Sequence, residues 1–173
     1  MIKTFYTLLL LFSTHQVFSQ EVLSIFDIAR KGTVDQAQQL LKSDPNAINS
    51  INAEGYSPLV LACYRGNNEV AKLLIEKGCD INGTSKMGTP LMACIVKGNN
   101  EIAILLIEKK ANINIFDENG TTALIYAVMF KNTKLVALLL EHKADKTHKD
   151  KKEKTAFEYA VFSGNNEIIE LLK

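Results

Sequence analysis

One block recurs along this chain and sets its fold. Gly66-Asn67-Asn68-Glu69-Val70, Gly98-Asn99-Asn100-Glu101-Ile102 and Gly164-Asn165-Asn166-Glu167-Ile168 read almost alike. Lys131-Asn132-Thr133-Lys134-Leu135 stands in register between the last two, and Gly32-Thr33-Val34-Asp35 is a weaker copy ahead of them all. Eight residues upstream of the blocks sit Ser24, Pro58, Pro90, Ala123 and Ala156, spaced by 34, 32, 33 and 33. Self-similarity at such a period marks stacked repeats, in which no unit buries its apolar face alone.

Each unit reads as helix, turn, helix, loop. Ser57 can cap a helix whose first position, Pro58, needs no N–H donor. Thr89-Pro90 repeats that arrangement, and Thr122-Ala123 and Thr155-Ala156 keep the cap. Ala62, Cys94, Ala127 and Ala160 are small, which lets neighbouring helices approach closely. Gly66, Gly98 and Gly164 suit a left-handed turn after the helix, whereas Lys131 breaks the rule, so that turn is expected to be slightly strained or differently capped. Asn67/Asn68 and their equivalents cap a second helix, with Glu69, Glu101 and Glu167 in its first turn. Its apolar residues recur at helical spacing, as in Val70, Leu73 and Leu74. Asn49, Asn82 and Asn114 share one phase in the loop that follows, and Asn119-Gly120 supplies a turn. The third unit is one residue short before Pro90, which predicts a tighter hairpin tip. The first unit, rich in Asp, Arg, Lys and Gln, reads as an N-terminal cap. The last, with Glu158, Glu167 and Glu170, reads as a C-terminal cap.

These residues resemble the ankyrin repeat. Its Gly-x-Thr-Pro-Leu-His and Gly-Ala-Asp-x-Asn patterns are visible in Gly55-Tyr56-Ser57-Pro58-Leu59 and Lys110-Ala111-Asn112-Ile113-Asn114. The resemblance covers Val22 to Lys173. It implies an all-α ankyrin-repeat solenoid of about five helix-turn-helix units joined by β-hairpin-like loops, approximately 21–49, 50–82, 83–114, 115–147 and 148–173. The family's His position holds Val60, Met92, Ile125 and Glu158, so the hydrogen bond of that His to the loop is expected to be absent. The resemblance further implies a non-catalytic module that binds another protein through a concave groove and hairpin tips, with no cofactor. Some exported bacterial members are thought to assist or protect a periplasmic enzyme, catalase being one example. The alternative is a secreted effector or toxin-neutralising protein.

The N-terminus bears on where such a module acts. Lys3, the apolar run Phe5 to Phe12 and the small residue Ser19 form the pattern of a secretory signal peptide over 1–19. The run is too short to span a bilayer, which takes about 20 apolar residues. Export to the periplasm or medium is the expectation, with a single domain over 20–173 and no membrane insertion after signal removal. The whole chain carries 20 basic and 19 acidic residues, and loss of Lys3 leaves 19 of each. That balance argues against a nucleic-acid partner, which calls for a field of unpaired cations. A monomer is expected.

Catalytic chemistry is not legible. His142 and His148 sit six apart around a loop and read as solvated residues rather than metal ligands. There is no P-loop, no Gly-x-Ser-x-Gly and no Gly-x-Gly-x-x-Gly. Cys63 and Cys94 fall at core positions of adjacent first helices, and Cys79 falls where the family has Ala. A Cys63–Cys94 bridge is the alternative to small buried hydrophobes, the better reading. Six Lys between Lys143 and Lys154, diluted by Asp145, Asp150 and Glu153, make a basic tip or a solvated loop. Asn82-Gly83-Thr84 and Asn119-Gly120-Thr121 match a glycosylation pattern and read better as turns.

A partner surface is the remaining candidate. Counted from the turn glycines, one column holds Arg30, Tyr64, Val96, Met129 and Phe162, and the next holds Lys31, Arg65, Lys97, Phe130 and Ser163. In ankyrin-like proteins these columns face the groove and tend to be polar. Here Tyr64, Val96, Met129, Phe130 and Phe162 line up as an apolar stripe flanked by Arg65 and Lys97, with Tyr56 and Tyr126 nearby by phase. Stripes of this kind mark interaction sites, with packing against the next repeat the alternative for any one residue.

Overall fold

The computed structural model describes residues 23–173 apart from Met87. The expected signal peptide, 1–19, lies outside the described residues. Ten short α-helices are described: α1 (Ile25–Lys31), α2 (Val34–Ser43), α3 (Pro58–Arg65), α4 (Asn68–Glu76), α5 (Pro90–Val96), α6 (Asn100–Glu108), α7 (Ala123–Met129), α8 (Thr133–Glu141), α9 (Ala156–Ser163) and α10 (Asn166–Leu172). None exceeds ten residues. Helices that short are marginal in water, so packing must hold them. The odd-numbered helices stack in chain order as one layer and the even-numbered helices as a second, giving an all-α repeat solenoid.

The period supplies the core. Leu59, Leu91 and Leu124 occupy one position of successive odd helices and are each 1% exposed. Val70, Ile102, Leu135 and Ile168 do the same on the even helices and are fully buried. Ala62, Cys94, Ala127 and Ala160 are also fully buried, so small side chains sit where successive first helices meet. Ala47, Cys79, Ala111 and Ala144 form a further buried register under the loops.

Polar side chains fix the spacing between units. Asn49, Asn82 and Asn114 each use Oδ1 to accept the N–H of Asp80, Asn112 and Asp145 in the following loop, at 2.8, 2.7 and 2.9 Å. A second ladder runs along the even helices. Asn99 Nδ2 donates to Asn68 Oδ1, and Asn132 Nδ2 to Asn100 Oδ1, both at 2.7 Å.

Three local expectations need correction. Asn67 does not cap α4. Its amide instead donates to the carbonyls of Ile28 and Gly32, 3.2 and 2.9 Å away. Gly32 is extended rather than left-handed, and a Cβ there would lie 2.6 Å from Ile28 Cα, so close approach requires the glycine. Second, the His position keeps a backbone bond in two units. Glu158 Oε2 accepts from Thr155 N at 2.6 Å, and the Met92 sulfur takes Thr89 N at 3.4 Å. Third, the last unit does not close the stack with polar groups. Phe157, Val161 and Leu171 are 37%, 53% and 39% exposed. Leu124 and Val128, which precede Phe157 and Val161 by one repeat, are buried where α7 packs against α9.

The hairpins follow the expected lengths. Asn52, Asp117 and Asp150 donate their N–H to the carbonyl four residues on, whereas Ser85 reaches the carbonyl of Gly88, only three on. The shorter third tip is thus observed.

Three non-glycine residues hold the left-handed turn at the ends of helices: Lys110, Lys131 and Lys143, at φ 62, 54 and 65°. Their counterparts Gly66, Gly78, Gly98 and Gly164 hold the same region, from φ 65 to 80°. A side chain with a Cβ is disfavoured there by about 1 kcal/mol or more. Lys131→Gly and Lys143→Gly should therefore each stabilise the protein by about 0.5–1 kcal/mol, after the entropy that glycine adds to the unfolded chain. A rise in the urea midpoint at unchanged slope is the expected result. An unchanged or lowered midpoint would show that these turns carry no strain.

Candidate partner-binding groove

The odd helices end on the two columns singled out by phase. Stacking buries the faces of these helices that meet the neighbouring unit and the even layer. The last-turn positions remain for contact with something else. Met129, Phe130 and Phe162 are 46%, 50% and 86% exposed, far from the core values of their neighbours. Tyr64 and Val96, in the same columns, are half-buried, and Tyr64 packs on the core. Arg65 and Lys97 are exposed. The stripe is therefore continuous by register and uneven in exposure, with its open part in the fourth and fifth units.

Ring contacts organise it. Lys97 Nζ lies 4.4 Å from the centre of the Tyr64 ring, and Arg65 Cζ lies 6.0 Å from it. A cation over an aromatic face at these distances is attracted by the ring quadrupole. Tyr126 stacks on Phe130 with centroids 6.4 Å apart. Lys154 Nζ stands 5.6 Å from the Phe162 ring and 5.7 Å from that of Tyr159. Val161 and Phe157 extend the apolar surface from Phe162 around the end of the stack.

Two of the expected contact residues belong more to the scaffold. The Tyr126 hydroxyl donates to Asp117 Oδ2 at 2.6 Å, while Asp117 Oδ1 accepts the N–H groups of Asn119 and Thr121. Burial, aided by that carboxylate, pushes the Tyr126 phenol up to about 12. Tyr56 is half-buried, and its N–H donates to Asn52 Oδ1 at 2.8 Å. The fifth unit repeats the Asp117 arrangement. Tyr159 donates to Asp150 Oδ2 at 2.6 Å, and Asp150 Oδ1 accepts from Lys152 and Lys154. An Asp followed nine residues later by Tyr is the sequence signal for this closure, and apolar periodicity alone does not reveal it.

The reactive groups are accounted for locally. Cys63, Cys79 and Cys94 are free and buried. Burial raises the Cys63 and Cys79 thiols, Cys79 to about 12 with help from Asp80. His142 Nδ1 meets the Leu138 carbonyl at 2.9 Å, and His148 Nε2 meets that of Gly120 at 2.8 Å. His148 stacks on Phe116 at 5.3 Å, over an open hollow of about 450 Å³ between the last two hairpin tips. Among the described residues no group of three or more His, Cys, Asp or Glu could hold a metal ion. None of the described helices is long and apolar enough to cross a membrane. Part of the lysine run is structural: Lys146 Nζ donates to the Leu172 and Lys173 carbonyls, and Lys149 pairs with Glu153 at 3.8 Å.

A family model described as ankyrin repeats (three copies) matches residues 25–117 and 116–173. The chain belongs to the ankyrin-repeat family. Ankyrin repeats are protein-interaction modules, and the family is generally non-catalytic. One relative is the ankyrin repeat and SAM domain-containing protein 6 of Rattus norvegicus, 34% identical over 58 residues, which is 34% of this chain and 7% of that protein. Another is the acyl-CoA-binding domain-containing protein 6 homolog of Dictyostelium discoideum, 38% identical over 48 residues, 28% of this chain and 17% of that protein. The BTB/POZ domain-containing protein 3 of Schizosaccharomyces pombe is 35% identical over 60 residues, 35% of this chain and 12% of its own length. The matched segment is a small part of each relative, so the likeness concerns the repeats.

The closure of the last hairpin predicts an acid response. Burial opposes ionisation of Asp150, yet the Tyr159 hydroxyl and the Lys154 and Lys152 amides outweigh it and hold the carboxyl below its ordinary 3.8. Asp145 is held low by the Thr147 hydroxyl, and Glu158 by the Thr155 N–H. A carboxyl lowered by folding stabilises the native state above its ordinary value, and that gain is lost as pH falls through the folded value. Stability should thus decline below about pH 4. Asp150→Asn should cost about 1–2 kcal/mol at pH 7 and make the decline shallower, measured by urea unfolding between pH 7 and pH 2.5. An unchanged acid slope would remove Asp150 from this account.

Proposed function

We propose that this ankyrin-repeat protein is an exported, non-catalytic binding module whose groove holds a partner protein, and that it assists or protects an enzyme of the exported compartment. The observation that carries the groove assignment is the open cluster of Met129, Phe130 and Phe162, in register on adjacent units. Aromatic side chains that burial against the stack does not explain are typical interface anchors. Tyr64, Arg65, Val96 and Lys97 extend the contact surface toward the N-terminal units, while Tyr56 and Tyr126 stiffen it. Export is supported by the N-terminal pattern of Lys3, the leucine run and Ser19. The module acts as a monomer in this reading, without a nucleic-acid partner or membrane insertion.

Changing Tyr64, Met129 and Phe162 together to Glu tests the groove. Loss of an anchor of this kind costs on the order of 2 kcal/mol, roughly thirty-fold in affinity, so the triple variant should retain no partner in a pull-down from the exported fraction. Because Tyr64 packs on the core, Met129→Glu/Phe162→Glu, at exposed positions only, is tested beside it; its circular dichroism should match the wild type and it should also lose the partner. A triple variant that keeps every partner would show that the groove is not the site. The identity of the captured protein separates the enzyme-assisting role from an effector or toxin-neutralising one. Mass spectrometry of the cell-fractionated protein tests export. The expected product begins at Gln20, and a chain carrying Met1 in the cytoplasmic fraction would overturn the claim.

A further inference from the structure

We infer that the groove accepts a polypeptide segment with carboxylates at one end and aromatic or aliphatic anchors at the other. The inference rests on the groove reading above and adds the chemistry of the occupant. The two columns change character along the stack. In the second and third units they present Arg65 and Lys97, and neither makes an ion pair among the described residues. Both cations are held against the Tyr64 ring, which orients them without neutralising them. In the fourth and fifth units the columns hold Met129, Phe130 and Phe162, the most open of them 86% exposed, and no charged residue of their own, although Lys154 of the last hairpin places its Nζ 5.6 Å from the Phe162 ring. Neither column contains an Asp or Glu at any unit.

One kind of ligand satisfies both halves. A polyanion would meet the cations and leave the apolar end in water. A uniformly apolar segment would cover the apolar end and take water from Arg65 and Lys97 without giving them a partner, which is costly. Carboxylates followed by anchors fit the sequence of surfaces in order. Three helix-to-helix steps of about 9 Å separate Arg65 from Phe162, roughly 27 Å. An extended chain covers that with about eight residues, at roughly 3.3 Å each.

Selection of random dodecapeptides displayed on phage tests this whatever the natural partner is. The purified protein is compared with Arg65→Glu/Lys97→Glu and with Phe130→Ser/Phe162→Ser, all at exposed positions, after circular dichroism shows equal folding. Peptides selected by the wild type should carry Asp or Glu toward one end and Phe, Leu, Ile or Trp toward the other. The charge-reversed variant should bind them about ten-fold more weakly and lose most of the salt dependence. The serine variant should bind them more weakly at every salt concentration. Peptides without acidic bias, or equal binding by the charge-reversed variant, overturn the inference while leaving the groove in place if the serine variant still fails. Equal binding by both variants removes the groove as well. Selection of no peptide at all also overturns the inference.

Discussion

The side-chain oxygens of Asn49, Asn82 and Asn114 reach across to the next unit and take a backbone N–H that no helix or sheet satisfies. These bonds hold each loop at a fixed distance from the next, about thirty residues away in sequence. That distance decides whether Ala62, Cys94, Ala127 and Ala160 meet the neighbouring first helix closely enough to exclude water. The apolar layers are too thin to be stable singly, so their burial depends on the spacing. The two constraints are mutual. Packing without the asparagines leaves the N–H groups of Asp80, Asn112 and Asp145, all on exposed residues, to water rather than to the neighbouring unit, and the asparagines without packing have no reason to come within reach.

The same logic explains what is legible in the sequence and what is not. Caps, turn glycines and the one-residue deletion before Pro90 are local, and each acts on backbone within a few residues. They are legible, down to the shorter hairpin at Ser85–Gly88. The phase of Asn49, Asn82 and Asn114 is visible too, but its purpose is not, because the acceptor and donor lie in different units. Asn67 departs from its cap position for a related reason. Its Nδ2 is drawn to the carbonyls of Ile28 and Gly32 across the stack, and in that position its Oδ1 does not cap α4, whereas Asn99 and Asn132 donate through Nδ2 to Asn68 and Asn100 and still cap their own helices through Oδ1. The Asp117–Tyr126 and Asp150–Tyr159 closures link hairpin to helix, and no periodic pattern of apolar residues reports on them. For the groove, register is legible and exposure is not. Tyr56 and Tyr126 lie near the stripe by phase, yet the Tyr126 hydroxyl is held by Asp117 and the Tyr56 N–H by Asn52 of the hairpin.

The end of the stack shows what periodicity alone decides. Phe157 and Val161 occupy positions that in every earlier described unit are buried beside the next first helix. Glu158 suggests a polar end, but it faces the start of its own helix and bonds to Thr155. One charged residue at a capping position says nothing about the side chains one residue to either side, which point elsewhere on the helix.

The groove columns add an argument from cost. They lie in the last turn of each odd helix, where the helix dipole favours cations by about 0.3–1 kcal/mol each. Arg30, Lys31, Arg65 and Lys97 take that gain. Arg30 takes a further one from Asp27 and Glu54, each 3.5 Å away. Folding alone thus accounts for the basic half of the columns. It does not account for the other half. Met129, Phe130 and Phe162 forgo the dipole gain and place apolar surface in water, and stacking recovers neither loss, because these side chains stay open at the edge of the layer. The apolar half is the part of the groove that stability does not explain, and the binding reading therefore rests on it, with Arg65 and Lys97 giving the occupant its direction.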